Sequence, residues 1–153
     1  MTFIPMNLDD AVEQKPAPKG KYELQITGAQ VTETGENSKH PGAPMLKVTL
    51  GFTDQDINAP VITHYITIPY EGDENANFKL LMLKRFLIAF QIPYSNEGFD
   101  LDDLAQSMIG QIASLDVNLS EPNEDGAIYN RLVVPRIRDE QATAKAAGGR
   151  KRR

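Results

Sequence analysis

The chain has 153 residues, 41% of them apolar, with no Cys and a net charge of −5, which fits one domain of ordinary size and excludes a disulfide framework, thiolate zinc sites and thiol catalysis. His40 and His64 are its only histidines, far apart and without carboxylates at metal-ligand spacing, so neither a metal site nor a cofactor is expected. The charge is segregated: residues 131–153 hold a net +6 and the remainder −11, a division that points to a polyanion partner, nucleic acid first, or to a tail that only solubilises or pairs with an acidic body.

Residues 1–20 read as an N-terminal arm. Pro5, Pro16, Pro18 and Gly20 break regular structure, and Asn7 to Gln14 has room for a turn or two of helix. The first ten residues lack the basic and apolar regions of a secretory signal, and no later segment reaches transmembrane length, so a cytoplasmic protein without a membrane partner is expected.

From Lys21 the pattern has period two, with Tyr22, Leu24 and Ile26 on one face. The apolar phase then slips by one residue to Ala29 and Val31 across Gly28, as a bulge or a bend at a barrel corner requires. Thr34 to Pro44 is dense in turn formers and reads as a long loop. Met45 to Thr53 resumes the alternation, with Leu46, Val48, Leu50 and Phe52 inward. Ile62, Ile66 and Ile68 mark a third strand whose other face carries Thr63, Tyr65 and Thr67.

Asn75 to Phe90 changes to helical spacing. Phe78, Leu81, Met82, Phe86, Ala89 and Phe90 form the stripe, Leu80, Leu83, Leu87 and Ile88 widen it, and the helix is expected to be nearly enclosed, with Lys79, Lys84 and Arg85 at its margins. Asp100 reads as the N-cap of a short second helix with Asp102 and Asp103 in its first turn. Those three acids would need further carboxylates to hold a nuclease metal, and none stands out. With no glycine-rich phosphate loop and no His-based triad, the chain is not expected to be an enzyme. Ala113 to Leu119 alternates again, Glu121 to Gly126 turns the chain, and Ala127 to Val134 reads as the last strand.

The fold class is therefore mainly β. The order β-β-β-α-β-β is that of an OB-fold, a five-stranded, partly open barrel that binds oligonucleotides or oligosaccharides around its second and third strands. An open five-stranded sheet with a helix across it would give the same order. The domain spans residues 21–138, and residues 139–153 form a basic, disordered tail.

Single-strand binders combine cations that follow phosphates with aromatic faces on which bases stack. The outward face offers Lys21, Lys47 and Tyr65, and Tyr129 with Arg131; the long loop adds Lys39 and His40; Arg136 and Arg138 follow the last strand, and the tail ends in Arg150, Lys151, Arg152 and Arg153. The plainer alternatives make Tyr65 a cross-strand packing partner and Tyr129 a core residue.

Several segments also carry a resemblance: Lys19-Gly-Lys-Tyr-Glu-Leu-Gln-Ile, Ser38-Lys-His-Pro-Gly-Ala-Pro-Met-Leu-Lys-Val, the Leu-rich Phe78 to Phe90, Phe99-Asp-Leu-Asp-Asp-Leu with Ile109-Gly, and Tyr129-Asn-Arg-Leu. From about Pro18 to Arg138 the chain resembles small bacteriophage proteins of DNA replication and recombination, similar to single-stranded-DNA-binding proteins with an OB-like barrel. The strand order, the mixed basic and aromatic face and the basic tail point to non-catalytic, sequence-tolerant binding of single-stranded DNA, with duplex DNA at the tail, and the resemblance implies replication or recombination proteins as candidate partners. Many bacterial single-strand binders end in an acidic docking peptide, whereas this chain ends basic. The alternative expectation is a phage structural or assembly protein whose basic tail meets DNA or an acidic partner. Neither reading sets the oligomeric state.

Overall fold

The structure is a computed structural model that describes residues 2–36 and 41–137. Its elements run β1 (Gly20–Glu33), β2 (Pro44–Phe52), β3 (Ile62–Thr67), α1 (Ala76–Ala89), α2 (Leu101–Met108), β4 (Ile112–Leu119) and β5 (Asn130–Val133). The sheet order is β3-β2-β1-β4-β5 with every pair antiparallel, and the outer strands β3 and β5 approach each other, so the sheet curls into a nearly closed, OB-like barrel. The open-sheet alternative is thereby set aside. Two helices separate β3 from β4, the long one and the short one expected after Asp100. Neither is long and apolar enough to cross a membrane.

β1 makes the barrel possible because it serves two neighbours. Residues 20–25 pair with β4, and residues 24–33 with β2. The register with β2 shifts between Ile26 and Gly28, leaving Thr27 as the extra residue, so Leu24 and Ile26 before the bulge and Ala29 and Val31 after it all face inward. At the bend the backbone of Ile26 turns to the chain leading into β4: its N–H donates to Gln111 O at 2.9 Å and its carbonyl accepts from Gly110 N at 2.7 Å. Gly28 is not forced by sterics, since a Cβ there would meet Thr49 at an ordinary 3.8 Å.

The core lies inside the barrel and under the helices. Leu24, Ile26, Leu46, Val48, Leu50, Ile62, Ile66, Leu115 and Val117 from the strands meet Leu83, Phe86, Leu87 and Phe90 of α1 and Leu104, Ala105 and Met108 of α2. Each such side chain contributes roughly 1.5–3 kcal/mol when fully buried. α2 begins as its sequence suggests, with the Asp100 carboxylate accepting from Asp103 N at 3.0 Å. α1 departs from expectation. Only one stripe is buried, while Phe78 and Leu80 are 60% and 51% exposed. Lys79 is not a free marginal cation either, for it pairs with Asp73 and lies 4.7 Å over the Tyr70 ring.

Two further differences concern ends. β5 starts at Asn130 instead of Ala127, because the Asn123 side chain accepts from Asp125 N and Ala127 N at 2.9 Å and holds the chain in its turn. The arm is not wholly separate from the barrel. A 3-10 turn at Leu8–Asp10 is capped by Asn7, Lys15 N donates to Asn58 O at 3.3 Å, and Ala17 is buried against Asn130.

Candidate nucleic-acid interface

β3 and β5 run in the same direction and meet along the seam where the barrel closes. Their N-terminal halves border a groove of about 540 Å³ lined by Val61, Thr63, His64, Tyr65, Tyr129, Asn130, Arg131 and Leu132. Three of the residues singled out in the sequence, Tyr65, Tyr129 and Arg131, thus come to one place although 64 and more positions separate Tyr65 from the other two.

Local structure explains each orientation. On β3, Ile62 and Ile66 are buried and His64 turns the same way, which sends Thr63, Tyr65 and Thr67 outward. Tyr65 is 53% exposed, and its register partner on β2 is Lys47, half-buried on the same outer face. Gln30 of β1 lies on the far side of Lys47, giving a cross-strand row Gln30–Lys47–Tyr65 that leads into the groove. Tyr129 precedes β5 and is 57% exposed, so it is not a core residue. Ser120 fixes its backbone twice: Tyr129 N donates to Ser120 Oγ at 3.0 Å, and Ser120 N donates to Tyr129 O at 2.8 Å. Arg131 is exposed, with Asn118 of β4 as its register partner.

Lys21 is not brought to this groove. It sits on the outer face of β1 opposite Asp116 of β4, whose other neighbour is Val133 of β5, so a mid-strand carboxylate stands beside it. Arg136 is exposed beyond the end of β5. Lys39, His40, Arg138, Arg150, Lys151, Arg152 and Arg153 lie outside the described residues.

Two inward residues at the groove are not among the site residues that the sequence singles out. His64 stacks on Phe86 of α1, ring centroids 5.5 Å apart and nearly parallel, and burial pushes its pKa down from the ordinary histidine value. Asn130, one of two buried polar residues among the described residues, ties the arm to β5. Period two would have placed both inward, since His64 stands between Ile62 and Ile66 and Asn130 two before Leu132.

Arg131 is the one charged residue in the lining, and no carboxylate belongs to it. Acids lie instead in the turns leading into β3 and β5: Asp54 and Asp56 in one, Glu121, Glu124 and Asp125 in the other. Two exposed phenol rings, a guanidinium and a neighbouring ammonium can stack flat aromatic groups and neutralise anions between them. Among the described residues no group of three or more His, Asp or Glu side chains could hold a metal ion.

No curated protein matches the chain. A family model described as "Protein of unknown function (DUF669)" matches residues 6–145, a span that takes in most of the arm and the whole barrel. The chain belongs to the DUF669 family.

Proposed function

We propose that this protein binds single-stranded DNA, without catalysis and with tolerance for sequence, along the β3/β5 groove. The supporting observation is the meeting of Tyr65, Tyr129 and Arg131 in one groove free of lining carboxylates, with Lys47 beside Tyr65. Bases stack on the two tyrosines, and Arg131 and Lys47 follow the phosphates on either side. Base–aromatic stacking is worth on the order of 1–3 kcal/mol per base, so two platforms suffice for a short site without hydrogen-bond readout. The acidic turns at one end of the groove direct the strand away from them, past Lys47 and Arg131 toward Arg136.

The basic tail extends the footprint electrostatically and offers a contact for duplex. In the biological setting that the sequence resemblance suggests, the activity serves phage DNA replication or recombination in the host cytoplasm, with proteins of those processes as partners.

Titration of a fluorescent oligonucleotide with the full chain, with a chain ending at Arg138, and with Tyr65→Ala, each at several salt concentrations, tests this reading. The expected result is a preference for single strands that survives truncation and falls about 5- to 150-fold on Tyr65→Ala. If truncation removes all binding, and removes it equally for single strands and duplex, the groove has no part. The assembly-protein reading, which needs only the tail, then stands.

A further inference from the structure

The groove holds a titratable ring that base stacking on the two tyrosines leaves unused. His64 lines it, half-buried, between the outward Thr63 and Tyr65. Its ring lies 5.5 Å from that of Phe86 and nearly parallel to it, so the core covers one face and packing fixes the orientation of the imidazole. Its nitrogens have no hydrogen-bond partner among the described residues, yet they are not sealed from solvent, since the one fully buried and unpaired side-chain nitrogen there is Arg85 Nε. Burial pushes the His64 pKa below its ordinary value.

The surroundings offer a proton on this ring nothing to pair with. β3 itself, β2 with the register partner Val48, α1 with Phe86, and β5 across the groove contain no carboxylate. Their charged groups are all cations: Lys47 on the outer face of β2, Arg131 across the groove, half-buried Lys84 and Arg85 on α1, and Lys79, which Asp73 pairs. Tyr65 and Tyr129 are the other titratable groups of the lining. Acids stand only beyond the strand ends: Asp54 and Asp56 before β3, Glu121, Glu124 and Asp125 before β5, and the exposed Glu13 next to Gln14, where the arm meets Ala59. An imidazolium at His64 thus has cations around it and no counter-ion. An anion seated in the groove would be that counter-ion, and a nearby opposite charge favours the protonated form.

The geometry points to His64 as a proton-linked phosphate contact: when a single strand lies in the groove, a phosphate reaches the open edge of the imidazole, and His64 takes up a proton from solvent. This rests on the reading of the groove as a single-strand site and adds its regulation. The free protein holds His64 neutral and the complex holds it charged, so the complex binds one more proton and affinity rises as pH falls.

Nuclear magnetic resonance titration of the full chain, with and without saturating oligothymidylate, tests it, because thymine has no group that titrates in this range. The chain has two histidines, and contact with the Phe86 ring identifies the signals of His64. Salt is held near 0.15 M, where exposed charges further than about 8 Å away are largely screened. The His64 pKa is expected to rise by about one pH unit or more on binding, and affinity to fall as pH rises, about tenfold in total for a rise of one pH unit. His64→Phe keeps a ring on Phe86 and is expected to bind with an affinity that does not follow pH. If that variant folds poorly, the wild-type titration still decides. A pKa that stays in place with the strand bound, or one that falls because a base covers the ring and deepens its burial, overturns the proposal. Where Tyr65→Ala still weakens binding in that case, the groove reading stands without it. A chain that binds no single strand at any pH ends both.

Discussion

Asn130 holds Ala17 by two hydrogen bonds running in opposite directions: Ala17 N donates to Asn130 Oδ1 at 2.8 Å, and Asn130 Nδ2 donates to Ala17 O at 2.8 Å. The side chain thereby gives the arm what a neighbouring strand would give it. Both residues are buried, so the bonds cannot be exchanged for water without cost. Asn130→Ala leaves two buried backbone groups unpaired and is expected to cost roughly 2–4 kcal/mol in denaturant unfolding. Asn130→Asp keeps the acceptor but loses the donor and buries a charge, and should cost at least as much at neutral pH. A change below about 0.5 kcal/mol for Asn130→Ala, within the range of an ordinary surface substitution, would mean that the arm is not held this way.

The groove separates two kinds of interaction that salt can tell apart. Arg131→Gln removes a cation, so the slope of log K against log salt for a single strand should shrink by about 0.7 for each phosphate that Arg131 neutralises. Tyr129→Ala removes a stacking face and should lower affinity about 5- to 150-fold while leaving that slope unchanged. Fluorescence titrations at four or more salt concentrations measure both quantities at once. Equal slopes for wild type and Arg131→Gln would exclude Arg131 from phosphate contact.

Much of this architecture is written in period two. The slip from Ile26 to Ala29 is legible because the bulge keeps four apolar residues on one face, and the Asp100 cap is legible because its partner is only three residues away. Contacts of high sequence separation are not legible in the same way. Nothing local says that β3 lies beside β5, and hence that Tyr65 meets Tyr129 while Lys21 faces Asp116. His64 and Asn130 look like polar interruptions of apolar strands until the ring of Phe86 and the backbone of Ala17 appear next to them. α1 misleads for another reason: apolar residues all round predict an enclosed helix, yet the barrel covers only the stripe through Leu83, Phe86 and Leu87 and leaves Phe78 and Leu80 exposed.

His64 ties stability to pH. Burial against Phe86 lowers its pKa below the ordinary 6.5, so the unfolded chain takes up the proton first as pH falls. The contribution is whole above about pH 6.5, declines as pH falls toward the folded-state value, and is constant below that. His64→Phe keeps an aromatic ring in the stack and removes the proton site, so the wild-type decline should be absent in thermal melts of the variant between neutral and mildly acidic pH. Asp73 acts only in more acidic solution: its hydrogen bond from Lys79 holds the carboxyl below the usual range, and its contribution is lost as pH falls through that lowered value. A decline of equal size in wild type and His64→Phe would assign the pH dependence elsewhere.

α1 ends with a side chain where glycine is usual. Gln91 has φ 55°, in the left-handed region; its N–H donates to Ile88 O at 3.1 Å, and Ile92 N donates to Leu87 O at 2.8 Å. That pair of bonds is the Schellman ending, and the buried Ile92 supplies its usual apolar contact. A residue with a Cβ pays about 1–2 kcal/mol in this conformation, part of which glycine gives back through the greater entropy of its unfolded chain. Gln91→Gly is therefore expected to raise stability by roughly 0.5–1 kcal/mol. Gln91→Val, branched at Cβ, should lower it by a similar amount. Chemical denaturation of the three proteins reads the order Gly above Gln above Val directly. Because Phe90 and Ile92 on either side are in the core while Gln91 itself is exposed, the differences report the backbone and not the packing of the core.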